Sequence, residues 1–375
     1  MEELIRLRHE LHRNPELSGQ ERATSKRLRF YLNKYRPQEL FTNIAGAGMA
    51  AVYNSPEPGP TLLFRCDLDA LPIHESVPKP HSSIVPGVSH ACGHDGHMVM
   101  VSGLALLLTQ NPIKKGRVIL FYQPSEENGL GARKSIERLK ELNIYPDYAF
   151  ALHNMPKHPL GSLIVAKDTF TAASKGLIIK LTGKNSHAAY PENGISPALA
   201  ISEITQQLYN ITNKESFSDF VLLTIIHIRL GEVAFGTSPG YGEIMITLRA
   251  FTDKDMEILS KQAIEISKTV GTNHSLMVET EITDDFPAAV SDTNLTTLLL
   301  AIAKEQNRHT VLIKEPNRWS EDFANFTHEG PAILFGLGIG EDAPDLHSPD
   351  YDFPDEVIDH GLQVFDAIIT HYLRS

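Results

Sequence analysis

Apolar positions recur first at helical and then at strand spacing. Leu4, Leu7 and Leu11, and later Leu28, Tyr31, Leu32 and Tyr35, keep a helical period, so the chain is predicted to open in helices, with Asn14-Pro15 breaking the first run. Residues 48–53 and 61–66 read as strands separated by the turn Ser-Pro-Glu-Pro-Gly-Pro. A loop rich in Pro, His and Ser spans about 72–90. Residues 98–110 then predict a buried helix, 117–123 a fully buried strand, 130–142 a helix and 148–152 a further strand. Strands alternating with helices imply an α/β layer built on a parallel or mixed sheet.

Near residue 172 the texture changes. Residues 175–182 alternate, 197–208 are helical, 222–230 are extended, 243–251 alternate, 255–270 form an amphipathic helix and 275–282 a strand. That β-α-β-β-α-β order is the ferredoxin-like pattern. It predicts an inserted α+β domain at 172–284, with residues 1–171 and 285–375 forming a discontinuous α/β domain around it.

Composition narrows the class. A chain of 375 residues is long enough for two or three domains, and 42% hydrophobic with 21% charged residues excludes intrinsic disorder. A net charge of −12 and a pI near 5.8 argue against a nucleic-acid partner, which needs a basic face. The longest apolar run, 98–108, falls short of the ~20 residues that span a bilayer, so no membrane partner is expected. The polar opening lacks the apolar stretch of a secretory signal, so a cytoplasmic location is expected. Cys66 and Cys92 are too few for a disulfide framework. There are 17 histidines, and their placement carries the next step.

Metal-ligand residue types gather where strands are predicted to end, the edge at which an α/β sheet places its ligands. Asp67 and Asp69 close one strand; Cys92 and His94 lie in His90-Ala-Cys-Gly-His-Asp-Gly-His, ahead of the buried helix. Glu126-Glu127 follow another strand, His153 a third, and Asp345-Leu-His347 the apolar run at 331–337. Singly, each reads as a solvated or structural group. Together, thiolate, imidazole and carboxylate form a donor set for a borderline divalent metal. On an extended loop, Cys92 and His94 reach one site from the same side. Of two adjacent carboxylates, one can ligate while the other works as general base on metal-bound water. Asp67 and Asp69 are either bridging ligands or groups that orient a ligating imidazole. Cys66 reads as a buried hydrophobe and His97 as a helix-start residue, while His81 and His90 stay open. Gly236-Thr-Ser238-Pro-Gly240 matches a serine nucleophile elbow in letters only. Pro239 lacks the N–H that the oxyanion hole requires.

The chain resembles the di-metal amidohydrolases related to aminoacylase, in the branch of hippurate hydrolases, auxin-conjugate hydrolases and N-acetyldiaminopimelate deacetylases. The resemblance runs nearly end to end. It rests on Leu11-His-Arg-Asn-Pro-Glu-Leu, Asp67-Leu-Asp-Ala-Leu-Pro, the 90–97 motif, Gln123-Pro-Ser-Glu-Glu, Gly183-Lys-Asn-Ser-His-Ala-Ala-Tyr-Pro, Glu321-Asp-Phe and Leu346-His-Ser. It implies Cys92, His94, Glu127, His153 and His347 as metal ligands, Glu126 as general base and one of Asp67 and Asp69 as a second catalytic carboxylate. It also implies that His187 steadies the oxyanion and Arg249 holds the substrate carboxylate. Two divalent ions per subunit are expected, Zn²⁺ or Mn²⁺, with Co²⁺ or Ni²⁺ as alternatives. The expected substrate is a small N-acyl amino acid, and the inserted domain is expected to act as a lid and make a homodimer. A specific N-acetyldiaminopimelate deacetylase, a dipeptidase or carboxypeptidase, and a catalytically silent binding protein are the alternatives. One stretch departs from the family: Ala234-Phe-Gly-Thr-Ser-Pro-Gly-Tyr-Gly stands where Asn-x-Ile-Pro is usual. The departure bears on substrate specificity rather than on the metal chemistry.

Overall fold

Four largely apolar runs form the centre of the fold. The strands Arg117–Gln123, Thr61–Asp67, Tyr148–Met155 and Ala332–Gly338 lie side by side and parallel, almost every residue of them buried. Such strands are covered on both faces and therefore read as continuous apolar stretches. The sheet continues through Gly48–Asn54 to Glu39–Ile44 at one edge, and through Leu163–Val165 to Thr310–Leu312 at the other, making eight strands in a mixed sheet. The computed structural model describes residues 1–213 and 216–375.

Helix His94–Gln110 packs on this sheet and is buried along most of its length. A helix apolar all round has no solvent face, so it belongs in a core. Its Met98, Val99, Met100, Val101 and Leu104 are at most 1% exposed, and each such side chain contributes roughly 1.5–3 kcal/mol on burial. This is the core of a compact unit formed by Met1–Phe170, Ala289–Glu315 and Glu321–Ser375.

The second unit is Thr171–Ala288 with Pro316–Ser320. Its antiparallel sheet runs in the order Val221–Leu230, Tyr241–Ala250, Ala173–Thr182, Met277–Phe286. With helices Ala198–Tyr209 and Asp253–Asn273 this is the ferredoxin-like arrangement. Tyr241–Ala250 alternates strictly between buried and half-buried positions, as one sheet face packed on helices requires.

Several element boundaries differ from those predicted. The buried helix begins at His94 rather than at 98, because its first turn is polar yet packed inside the protein. The strand predicted at 148–152 extends to Met155, so His153 lies within it. The strands Glu39–Ile44, Leu163–Val165 and Thr310–Leu312 were not anticipated; the first is largely half-exposed and the others are three residues long. No helix among the described residues is long and apolar enough to cross a membrane.

Candidate metal centre

Parallel pairing brings the chemistry to one edge of the sheet. Asp67 is the register partner of Gln123, three residues before Glu126, and His153 is the partner of Gly336. Only Asp67, Asp69 and the Glu126-Glu127 pair therefore sit where strands finish. His153 projects from within a strand, and His347 comes nine residues beyond Gly338.

Nor are Cys92 and His94 on an extended loop. A left-handed turn at Gly93 (φ 90) separates them, and His94 is the first residue of its helix. A Cβ at position 93 would stand 2.7 Å from both Asn154 Oδ1 and Tyr351 Oη, so only glycine fits.

Two candidate ligand imidazoles are oriented from behind. His94 Nδ1–H donates to the Asp69 carbonyl at 2.8 Å, and His153 Nδ1–H donates to the Asn154 carbonyl at 2.9 Å. A carbonyl only accepts, so each ring must carry a proton on Nδ1, which leaves Nε2 as the atom turned toward the other donors. Cys92 Sγ lies 3.5 Å from His153 Nε2. Glu127 Oε1 lies 3.7 Å from His94 Nε2 and 3.7 Å from His347 Nε2. Two donors that share one ion at about 2.0–2.3 Å in tetrahedral geometry stand about 3.3–3.7 Å apart, so these spacings suit a metal. Cys92, His94 and His153 form one group whose donor atoms lie within 4.8 Å of one another; Cys92, Glu127 and His347 form a second. His94 Nε2 and Glu127 Oε1 are buried with no hydrogen-bond partner, as unfilled ligand atoms would be.

The electrostatics agree. Burial, then the Glu127 and Glu126 carboxylates, push the Cys92 thiol up. Burial raises the Glu127 carboxyl to about 7, although the His94 imidazole opposes it. Burial also depresses His153, to about 3, while for His94 the carboxylates of Asp67 and Glu127 outweigh burial and hold it at about 9. A cation held here would relieve this crowding of acidic groups and favour the ionised thiol and carboxyl.

Asp67 and Asp69 are already engaged. The Asp67 carboxylate accepts from His97 Nδ1 at 2.8 Å and from Arg65 at 2.9 Å. Despite its burial, His94, His97 and Arg65 hold it well below the usual carboxylate range. Asp69 Oδ2 accepts from Ser18 Oγ at 2.7 Å and from the Glu127 N–H at 3.0 Å. Glu126 is 5% exposed, and its Oε1 accepts the Asp322 N–H at 3.3 Å.

The sequence reading passed over several residues here. Arg65 is buried and donates to Gln123, Asp67, Glu321 and Asp322, so one guanidinium balances three carboxylates. Its signal was an arginine two residues before Asp67 on a strand otherwise apolar, hence on the same face. Glu321 and Asp322 were visible as a motif but carried no role. Glu21 closes the Pro15-Glu-Leu-Ser-Gly-Gln-Glu opening but carried no role, and Asn154 gave no local sign.

His187 and Arg249 belong to the second unit, whereas the donors belong to the first. His187 is exposed on the short strand Ser186–His187, where its Nδ1 accepts the Ala189 N–H. Arg249 donates to the Arg318 carbonyl at 2.7 Å and to Ser320 Oγ at 3.2 Å.

A mixed α/β layer that gathers thiol, imidazole and carboxylate donors beside a further carboxylate is a candidate metal centre. The chain belongs to peptidase family M20/M25/M40, whose model matches residues 63–371. It is 29% identical to the N-acetylcysteine deacetylase of Bacillus subtilis (strain 168), over 99% of this chain and 97% of that protein. It is 30% identical to IAA-amino acid hydrolase ILR1-like 2 of Arabidopsis thaliana, over 99% of this chain and 85% of that protein. A solved structure, the Bacillus subtilis YXEP protein, is described as a dinuclear metal-binding peptidase of the M20 family. It matches with a TM-score of 0.83 at 26% identity, covering 100% of this chain and 98% of that one.

Proposed function

We propose that the chain cleaves N-acetyl or N-aroyl amino acids at the amide bond, using two divalent cations held by Cys92, His94, Glu127, His153 and His347. The observation that carries this reading is the pair of donor groups that share Cys92, with Glu126 beside them against His94 and Glu127. Bound divalent ions acidify water and polarise the scissile carbonyl. Glu126 then takes the proton of the attacking water and returns it to the leaving amine, which separates as the amino acid. Asp69 orients His94 and Glu127, and Asp67 is the fixed counter-charge between Arg65 and His97. His187 steadies the oxyanion, and Arg249, pinned by Arg318 and Ser320, holds the substrate carboxylate. A thiolate donor favours Zn²⁺, while the nitrogen and oxygen donors also accept Mn²⁺, Co²⁺ or Ni²⁺. Both cysteines are free, which suits the reducing cytoplasm.

The test is amine release from a panel of N-acetyl and N-benzoyl amino acids, N-acetyldiaminopimelate and dipeptides. Release should vanish after chelation and return with Zn²⁺ or Mn²⁺. Activity that survives complete metal removal would sink the reading, and preference for a dipeptide would move it to a peptidase.

A homodimer through the second unit belongs to the same proposal. Val221–Leu230 is an edge strand, paired on one side only, and exposes Ile226, Ile228 and Leu230. Val233 and Phe235 beyond it are fully exposed. An apolar edge of this length is a template for pairing with a second copy. Sedimentation should show a dimer at micromolar concentration, converted to monomer by Ile226→Lys with Ile228→Lys. A wild-type monomer would refute the assignment.

A further inference from the structure

Three buried carboxylates, distant from one another in the chain, each take a backbone N–H from one short segment. Glu21 Oε1 accepts from Ser125 at 2.8 Å, Asp69 Oδ2 from Glu127 at 3.0 Å and Asp322 Oδ2 from Ala132 at 2.9 Å. All three side chains are fully buried. The segment they pin carries both Glu126 and Glu127. It enters through Ser125 at φ 57, a left-handed conformation that a residue other than glycine keeps only when its surroundings enforce it. Asp322 is itself fixed by Gln123 and Arg65, and Asp69 by Ser18, so both belong to larger networks. Glu21 is different. Its Oε1 also accepts the Gly19 N–H at 2.8 Å, and its Oε2 is buried with no hydrogen-bond partner.

We propose that Glu21 is a positioning residue: its Oε1 holds the Ser125 turn and so sets where the Glu126 and Glu127 carboxylates point. The kinetic part of this proposal rests on the amide-hydrolase reading above; the conformational part does not. Hydrogen bonding through Oε1 is what matters, so an amide should serve as well as a carboxylate. In Glu21→Gln the amide oxygen keeps both N–H partners and the NH₂ occupies the place of the unpartnered Oε2.

The experiment compares Glu21→Ala and Glu21→Gln with the wild type by two measurements. In the metal-free proteins, hydrogen exchange of a peptide spanning residues 125–132 should speed up at least about tenfold in Glu21→Ala and stay at the wild-type rate in Glu21→Gln. In the metal-loaded proteins, kcat should fall about 10- to 100-fold in Glu21→Ala, with KM within about threefold and full metal content, and recover in Glu21→Gln. Unchanged exchange in Glu21→Ala, or a Glu21→Gln variant as impaired as Glu21→Ala, would overturn the proposal. So would a loss of activity that only tracks the folded fraction. Altered exchange in a chain whose wild type hydrolyses no amide would uphold the positioning role and defeat the function instead.

Discussion

Glu126→Gln should lower kcat by about 10²- to 10⁴-fold, the range contributed by a positioned general base, with KM and metal content little changed. Gln is nearly isosteric, and its amide oxygen still accepts the Asp322 N–H that Glu126 Oε1 takes at 3.3 Å. The substitution therefore keeps the side chain in place and removes only its capacity to take a proton. Burial, then the neighbouring Glu321, Glu127 and Asp322 carboxylates, push the Glu126 carboxyl up. Metal analysis beside steady-state kinetics decides the matter. If the variant keeps both ions and turns over at the wild-type rate, Glu126 is not the base. If it loses metal as well as activity, Glu126 is a ligand.

His12→Ala should destabilise the protein by about 3–5 kcal/mol, the usual result of removing one member of a buried ion pair. His12 is fully buried in helix Glu2–Arg13 and donates from both ring nitrogens, to Asp95 Oδ2 at 2.9 Å and to Glu75 Oε1 at 2.5 Å. A ring that donates twice is an imidazolium. Burial opposes that charge, but Asp95 and Glu75 outweigh it and hold His12 at about 9. For Glu75, His12 likewise overcomes burial and brings the carboxyl down to about 2.

The signs of the two shifts set the pH window. A raised histidine contributes its full stability below the unfolded value of 6.5 and loses it as pH rises through about 9. A lowered glutamate contributes above its unfolded value of 4.5 and loses it as pH falls toward about 2. The pair should therefore be strongest between these two unfolded values. Urea midpoints of wild type and variant, measured at pH 6 and again at pH 9.5, should lie far apart at the first and close up at the second. An equal gap at both would mean that His12 is buried neutral.

Much of the site was legible in the chain because its chemistry is written in residue type. Imidazole, thiol and carboxylate groups in short runs such as His90–His97 and Glu126-Glu127 stand out against apolar strands wherever the chain folds. The ferredoxin-like order of the second unit was equally readable, since alternation along Tyr241–Ala250 reports one buried face directly. The helix start at His94 was obscured by the polarity of its first turn. In that turn His94, Asp95 and His97 are all buried, each polar group packed against a partner that sequence spacing does not reveal.

What the sequence by itself determined is the α/β layer; it also offered the candidate donors and the change of texture near residue 172, because periodicity and side-chain chemistry are local properties. The surroundings of Asp67 and Asp69 were set only by the fold. They lie two residues apart where one strand finishes, yet one is saturated by Arg65 and His97 while the other anchors Glu127 and Ser18. Glu21 shows the reason most plainly. Its partner Ser125 lies 104 positions away, and a hydrogen bond acts over about 3 Å, so nothing in either neighbourhood records the contact until the chain has folded.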